Sequence, residues 1–186
     1  MTASPRQKRT PRPLDTARLD ELALAYVARF AASAAKLESY LKRKLRERGW
    51  DGEGEPPVAA VVARFVAAGY VDDAAFARVR AGSLRRRGYG ERRVEQALGA
   101  AGIAEDVRAS VRASERTQRL SALALARKRR FGPWGAPAER PVREKQLAAM
   151  LRAGHRMDLA RAVVHGGDIA MLEEWAAEGE ADEEFE

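Results

Sequence analysis

The chain contains no cysteine. That excludes disulfides, thiolate nucleophiles and cysteine-held metals, and it fits a reducing cytoplasm. Histidine is almost as scarce. His155 and His165 lie ten residues apart with no carboxylate at ligand spacing, so they form a poor metal site and read as helix-end or surface residues. Long apolar runs are missing, because charge interrupts each one, so no membrane span is expected. A basic N-terminus does precede Leu22-Ala23-Leu24-Ala25, but Asp15, Asp20 and Glu21 break any signal-peptide pattern. Sustained strand alternation is absent. So are a Walker A loop, G-x-G-x-x-G, H-E-x-x-H and G-x-S-x-G. Ser33-Ala34-Ala35-Lys36 matches S-x-x-K, but no S-D-N or K-T-G accompanies it, and Ser33 fits a helix N-cap. Asp72-Asp73 has no third ligand at useful spacing and fits a helix start. No catalytic residue, metal or cofactor is expected.

Charge is abundant and uneven. The 186 residues carry a net charge of +7. Residues 1–13 hold Arg6, Lys8, Arg9 and Arg12 without an acid, among Pro5, Pro11 and Pro13, and read as a flexible, disordered basic arm. Residues 173–186 hold eight acids and no base, an acidic tail. The remaining body, 14–172, is therefore strongly basic. Such a body suits an anionic partner, either nucleic acid or an acidic protein groove. Alternatively, an Ala- and Arg-rich composition places arginines on helix faces merely to solvate them.

The pattern is all-helical. Leu19, Leu22, Tyr26 and Phe30 form a stripe after a start at Asp15 or Thr16, and Ser33 opens a helix carrying Leu37, Leu41 and Leu45 that ends at Gly49-Trp50. Pro57 opens a third helix with Val58, Val61, Val62, Phe65 and Val66. The cycle restarts at Asp72, stops at Gly88-Tyr89, and restarts from Gly90 with Val94 and Leu98 before Gly102-Ile103. A third round runs from about Glu115, with stripes through Leu147 and Leu151 and, last, Ile169, Leu172 and Trp175. Gly82, inside the Asp72–Arg87 helix, marks a bend or a close packing contact. Glu38, Glu91 and Glu144 are 53 residues apart, as are Leu41, Val94 and Leu147, and Leu45, Leu98 and Leu151. Gly49 and Gly102 keep that period, while Gly154 comes one residue early. A repeat of this length implies stacked helical modules. The expected organisation is a basic arm 1–13, helical repeats 14–71, 72–114 and 115–172, and an acidic tail 173–186.

The first two repeats meet at Gly69-Tyr70-Val71-Asp72-Asp73-Ala74-Ala75-Phe76-Ala77. Gly69 suits the left-handed residue past a helix end, and Tyr70 suits the apolar residue that packs back on that helix. Asp72 suits an N-cap, Asp73 the positive end of the helix dipole, and Val71 with Phe76 a hydrophobic staple. The functional signal lies instead in three basic clusters. Arg78, Arg80, Arg85, Arg86, Arg87, Arg92 and Arg93 face one acid, Glu91; Lys42, Arg43, Lys44, Arg46 and Arg48 form the second cluster, and Arg127, Lys128, Arg129 and Arg130 the third. Guanidinium forks bind phosphates and carboxylates alike. Trp50 and Tyr89 beside two clusters could stack on bases, or could simply close helix ends. A helix-turn-helix reader is a weaker fit, since no base-reading row of Asn, Gln and Arg stands out.

Two segments resemble a known family. Gly69-Tyr70-Val71-Asp72-Asp73-Ala74-Ala75-Phe76-Ala77 is similar to G-Y-L-D-D-x-x-F-A. Arg87-Gly88-Tyr89-Gly90-Glu91-Arg92-Arg93-Val94, followed by Leu98 and Gly102, is similar to K/R-G-W/Y-G-x-x-R-I/V with L-x-x-x-G. Both patterns occur, in this order, in the bacterial RecX regulatory proteins. The resemblance is densest over 58–112, extends over 22–57 and thins beyond 115, where His155 replaces a usual aromatic. It implies an elongated, curved array of three tandem three-helix repeats. It also implies a cytoplasmic regulator without catalysis that binds the RecA filament and suppresses ATPase, strand exchange and coprotease activity. That role belongs to DNA repair, homologous recombination and the SOS response. Partners implied are RecA and single- or double-stranded DNA bound without sequence preference; a monomer is expected. Arg78, Arg85–Arg87, Arg92, Arg93, Lys42, Arg43, Arg46 and Arg127–Arg130 are the expected contact residues. Gly69, Tyr70, Asp72, Asp73, Phe76, Gly88 and Gly90 are the expected structural signature.

Overall fold

The computed structural model describes residues 12–178. Most of the expected basic arm, and residues 179–186 of the expected acidic tail, lie outside the described residues. All regular structure among the described residues is helical, apart from one isolated bridge between Leu14 and Trp50. The chain divides into two compact units, one ending at Asp73 and the other beginning at Ala74.

The first unit contains α1 (Thr16–Val27), α2 (Ala34–Arg48) and α3 (Val58–Ala67). Asp15 caps α1 by accepting from Arg18 N at 2.9 Å, and Ser33 caps α2 by accepting from Lys36 N at 3.3 Å. These bonds satisfy first-turn N–H groups that have no partner within the helix. Leu14, Leu19, Leu37, Leu41, Val61 and Val71 fill the core. Gly69 terminates α3 at φ 73°, and Tyr70 N and Val71 N both donate to Phe65 O, at 3.0 and 3.3 Å. The Tyr70 ring then lies back on Phe65, with centroids 5.6 Å apart. Asp73 reaches back to α2, accepting from Ala34 N at 2.8 Å. The expected α1 stripe is one residue too long: α1 stops at Val27, and Phe30 stands beyond it, 54% exposed.

The second unit contains α4 (Asp73–Arg86, whose first residue belongs to the first unit), α5 (Glu91–Gly99), α6 (Glu105–Ser110) and α7 (Glu115–Arg129). A 3-10 turn at Gly132–Trp134 follows, then α8 (Arg140–Arg152), α9 (Met157–His165) and α10 (Ile169–Ala177). Ala77, Leu84, Val94, Leu98 and Ile103 form one core; Leu125, Met150, Val163 and Leu172 belong to another. Tyr89 packs against both. Residues expected as separate repeats 72–114 and 115–172 thus fall within one compact unit. The helix α4 is unbroken across Gly82, whose added Cβ would meet only the Arg86 guanidinium, at 3.2 Å. It makes no close helix–helix contact.

The 53-residue register changes in the last repeat. Gly49, Gly102 and Gly154 each end the equivalent helices α2, α5 and α8 with positive φ. Four residues before them stand Leu45, Leu98 and Met150. Leu98 is 1% exposed and Met150 fully buried, while Leu151 is only partly buried. The helix end sets the phase, so Met150 takes the place expected for Leu151.

Candidate anionic-partner interface

The site is built at the place where α5 and α8 meet end to end. The first N–H groups of α5 have no partner within their own helix, and the last carbonyls of α8 have none either. They satisfy one another: Gly90 N donates to Ala153 O at 2.9 Å and Arg92 N to Gly154 O at 3.2 Å. The positive end of one helix dipole thereby faces the negative end of the other. Closeness on this scale requires glycine. A Cβ at Gly90 would lie 2.4 Å from Gly154 C, Gly154 O and His155 N; one at Gly88 would lie 2.7 Å from Leu125 N. His155, 4% exposed, closes the joint by donating from Nε2 to Gly88 O at 2.9 Å. Burial lowers the imidazole pKa, against the opposing pull of the Gly88 hydrogen bond.

Beside this joint opens a cleft of about 470 Å3. Tyr89, Leu125 and Phe131 give it apolar walls, and Arg87, Lys128, Arg129 and Arg152 surround them. Arg152 also lines an adjoining hollow with Arg92 and Arg93, so six cations, from α5, α7, α8 and the turn after α4, share one surface. None of the six forms an ion pair with another described residue. Arg87 lies 5.8 Å over the Tyr89 ring and donates to Ser83 O, which directs its guanidinium along the cleft wall. An uncompensated cationic surface with aromatic walls can hold phosphates or carboxylates by charge and planar groups by stacking.

The expected contact residues separate into three groups. Arg87, Lys128 and Arg129 line the cleft, and Arg92 and Arg93 line the adjoining hollow. Arg78, Arg86 and Arg130 are exposed but do not line it, and Lys42, Arg43 and Arg46 stand exposed on α2. Of these α2 cations, Lys42 pairs with Glu38 at 2.6 Å and Arg43 with Glu47 at 3.7 Å, and two further residues are engaged between helices. Arg85 is withdrawn from the basic face: its side chain is 15% exposed, pairs with Glu91 at 2.5 Å and donates to Val111 O at 2.7 Å, tying α4 to α5 and to the end of α6. Arg127 pairs with Glu173 of α10. Residues 173–177, expected within the acidic tail, belong to α10, and Trp175 packs there against the core that holds Leu125, Met150, Val163 and Leu172. Arg152 was not expected. Only the packing of α8 against Gly90 brings it to the cleft, and no local sequence pattern marks it.

Sequence comparison places these features. A Myxococcus xanthus protein described as Regulatory protein RecX is 33% identical over an alignment of 170 residues that covers 86% of this chain and 90% of that protein. The chain belongs to the RecX family. A Regulatory protein RecX of Thermus thermophilus is 36% identical over 141 residues, covering 76% of this chain and 78% of that protein. The family model for the RecX second three-helix domain matches residues 72–111, which are α4, α5 and α6. The crystal structure of RecX from Lactobacillus salivarius shares the fold, with a TM-score of 0.64 at 16% identity over 85% of this chain and 96% of that one. Gly88, Gly90 and Gly154 are positions at which an added Cβ would clash, with Leu125 of α7, with the end of α8 and with Arg93 of α5 respectively. No helix among the described residues is long and apolar enough to cross a membrane.

Proposed function

We propose that this protein binds RecA filaments and restrains their ATPase, strand-exchange and coprotease activity, without catalysis of its own, in the cytoplasmic response to DNA damage. The observation that carries this reading is the cleft flanked by Arg87, Lys128, Arg129 and Arg152, in a chain whose relatives are named regulatory proteins. A regulator of this kind must grip a polyanionic assembly. Six cations without acidic partners on one surface supply that grip, and their attraction survives until salt screens it. The grip does not depend on one side chain. Removing one cation leaves the others, so charge reversal at two positions is the informative change.

The test is RecA-catalysed, DNA-dependent ATP hydrolysis with increasing amounts of this protein, together with co-sedimentation with filaments. Hydrolysis should fall. The doubly reversed Arg87→Glu/Arg152→Glu chain should need at least about ten times more protein for the same effect, since hydrogen bonds to charged groups contribute about 1.5–3 kcal/mol each. Unchanged hydrolysis at saturating protein, with none in the filament pellet, sinks the reading. The second reading, a protein acting on DNA alone, is favoured by the same cations. It expects salt-steep binding to bare DNA and no effect on RecA beyond competition for DNA.

A further inference from the structure

The first unit carries an aromatic cluster that the regulatory reading does not use. Tyr26, in the last turn of α1, lies almost parallel to Tyr40 of α2, with centroids 4.3 Å apart and planes at 13°. Phe30, just past the end of α1, sets its ring 5.4 Å from Tyr26 at 46°. The three rings line a cavity of about 430 Å3 that contains no acidic lining residue. This is within the range of small-molecule sites, about 300–1,000 Å3. Cations are placed on the ring faces. Arg29 lies 5.9 Å over Phe30, and Arg43 and Lys44 lie 5.6 and 5.9 Å over Tyr40. Lys36 lines the same cavity. Glu47 holds Lys44 at 2.6 Å and stands 3.7 Å from Arg43, outside the lining.

Packing accounts for only part of this arrangement. Tyr26 and Tyr40 rest partly on the first core, but Phe30 leaves more than half its surface in water. Phe30 therefore gains little from burial where it stands. Phe30 keeps ring surface open to a planar base, and the cations beside the three rings are placed for the phosphates on either side of it, which matches the alternation of phosphate and base along a single strand. A duplex hides its bases in the stack and offers these rings nothing. An apolar peptide would not be met by four cations around three rings.

We propose that Tyr26, Phe30 and Tyr40, rimmed by Arg29, Lys36 and Arg43, form a stacking site for a base of single-stranded nucleic acid, with the cations on its flanking phosphates. The site is separate from the cleft of the second unit, and its test contains no RecA, so failure of the regulatory reading leaves it standing.

The full chain is titrated into a fluorescently labelled oligothymidylate, an abasic oligonucleotide of the same length, and a duplex, with anisotropy as the readout. The unchanged protein should prefer oligothymidylate over the abasic strand by about 5- to 100-fold, the range that stacking of a base on an aromatic ring carries. Phe30→Ala should lose most of that preference and keep its affinity for the abasic strand, whereas Phe30→Trp should keep or raise the preference. The ring is exposed, so far-UV circular dichroism should match the parent for both variants. Arg43→Ala should weaken both strands together and lower the salt slope by about one. Arg152→Ala, in the other unit, should leave the ratio of the two affinities unchanged. Equal binding of the oligothymidylate and the abasic strand by the unchanged protein overturns the proposal. So does an unchanged preference in Phe30→Ala. A Phe30→Ala chain that binds both strands normally but fails on RecA filaments would make this face a protein-docking surface instead, and that too overturns it.

Discussion

Gly90→Ala isolates the cost of the α5–α8 joint. Backbone strain plays no part, since Gly90 sits at φ −78° and ψ 168°, where alanine is at ease. The whole effect is steric. The added methyl would lie 2.4 Å from three backbone atoms of Gly154 and His155, about 1 Å inside ordinary contact. Backbone atoms have no rotamer by which to yield, so the two helix ends must part by that amount. The bonds at 2.9 Å from Gly90 N and 3.2 Å from Arg92 N would then stretch to nearly 4 Å and cease to be hydrogen bonds. Losing two such bonds costs about 1 kcal/mol each, more where the groups remain buried, and overpacking adds about 1–3 kcal/mol. The expected loss is about 3–5 kcal/mol, a large share of the stability of an ordinary domain. The companion variant is Gly69→Ala, with φ 73° and nothing within 4 Å of the new methyl. It meets only the left-handed conformation, about 1–2 kcal/mol. Urea unfolding followed by far-UV circular dichroism measures both. Amide exchange in α5 and α8 should also quicken in Gly90→Ala, and not in Gly69→Ala. A Gly90→Ala chain no less stable than Gly69→Ala would refute the reasoning, because it would mean that the joint relaxes at no cost.

Other changes have defined signs. Gly82→Ala should stabilise by up to about 1 kcal/mol in thermal unfolding, since the methyl meets only the flexible end of Arg86. Arg130, the one non-glycine residue with positive φ among those described, ends α7 at φ 56°; Arg130→Gly should raise stability by about 1 kcal/mol while removing one cation. His155 has its folded pKa depressed below the ordinary value of 6.5, so protons favour the unfolded chain. Its contribution is present above pH 6.5 and should fade as the pH falls through the lower folded pKa, and His155→Gln should flatten that slope in urea midpoints measured across this range. Removing residues 179–186 should tighten binding to DNA in low-salt anisotropy if the acidic tail screens the basic body. The cut belongs after Glu178, because one after Leu172 also removes Trp175 and Ala176 from the core around Met150 and Val163.

Local chemistry made much of this fold legible. Asp15 and Ser33 cap where their side chains predict, and the glycines at 49, 69, 88, 102 and 154 all take positive φ, because helix ends are decided by a few adjacent residues. The one-residue slip in the third repeat was also visible, in the early arrival of Gly154. Matching apolar letters at a fixed spacing favoured Leu151, yet a helix is phased by where its backbone stops, and that brings Met150 to the core. Charge was less legible, because a run of arginines looks the same whether it faces solvent, a partner or Glu91. Arg85 and Arg86 are neighbours in sequence, but a helix turns about 100° between them, so one closes a joint and the other meets water.

The same geometry hid the residues that complete both surfaces. Arg152 is 59 residues beyond Arg93 in sequence, and Tyr40 is separated from Tyr26 by a helix end and a turn. Each is unremarkable within its own helix. They gain a role only when backbones approach closely enough, and in the second unit that approach is set by what is missing. With no Cβ at Gly88, Gly90 or Gly154, α5 can come within 3 Å of α8, and a cation at the end of each helix is carried onto one wall. These three glycines carry no side chain to offer a partner, and Gly154 itself lines the hollow beside Arg92 and Arg93. They fix the spacing of Arg87, Arg92, Arg93 and Arg152, so a partner of fixed phosphate or carboxylate spacing should respond to Gly90→Ala even where the unit stays folded. Binding measured at a temperature well below the unfolding midpoint separates the two effects. Full affinity in a folded Gly90→Ala chain would mean that the cations act as a diffuse charge, with no demand on their geometry.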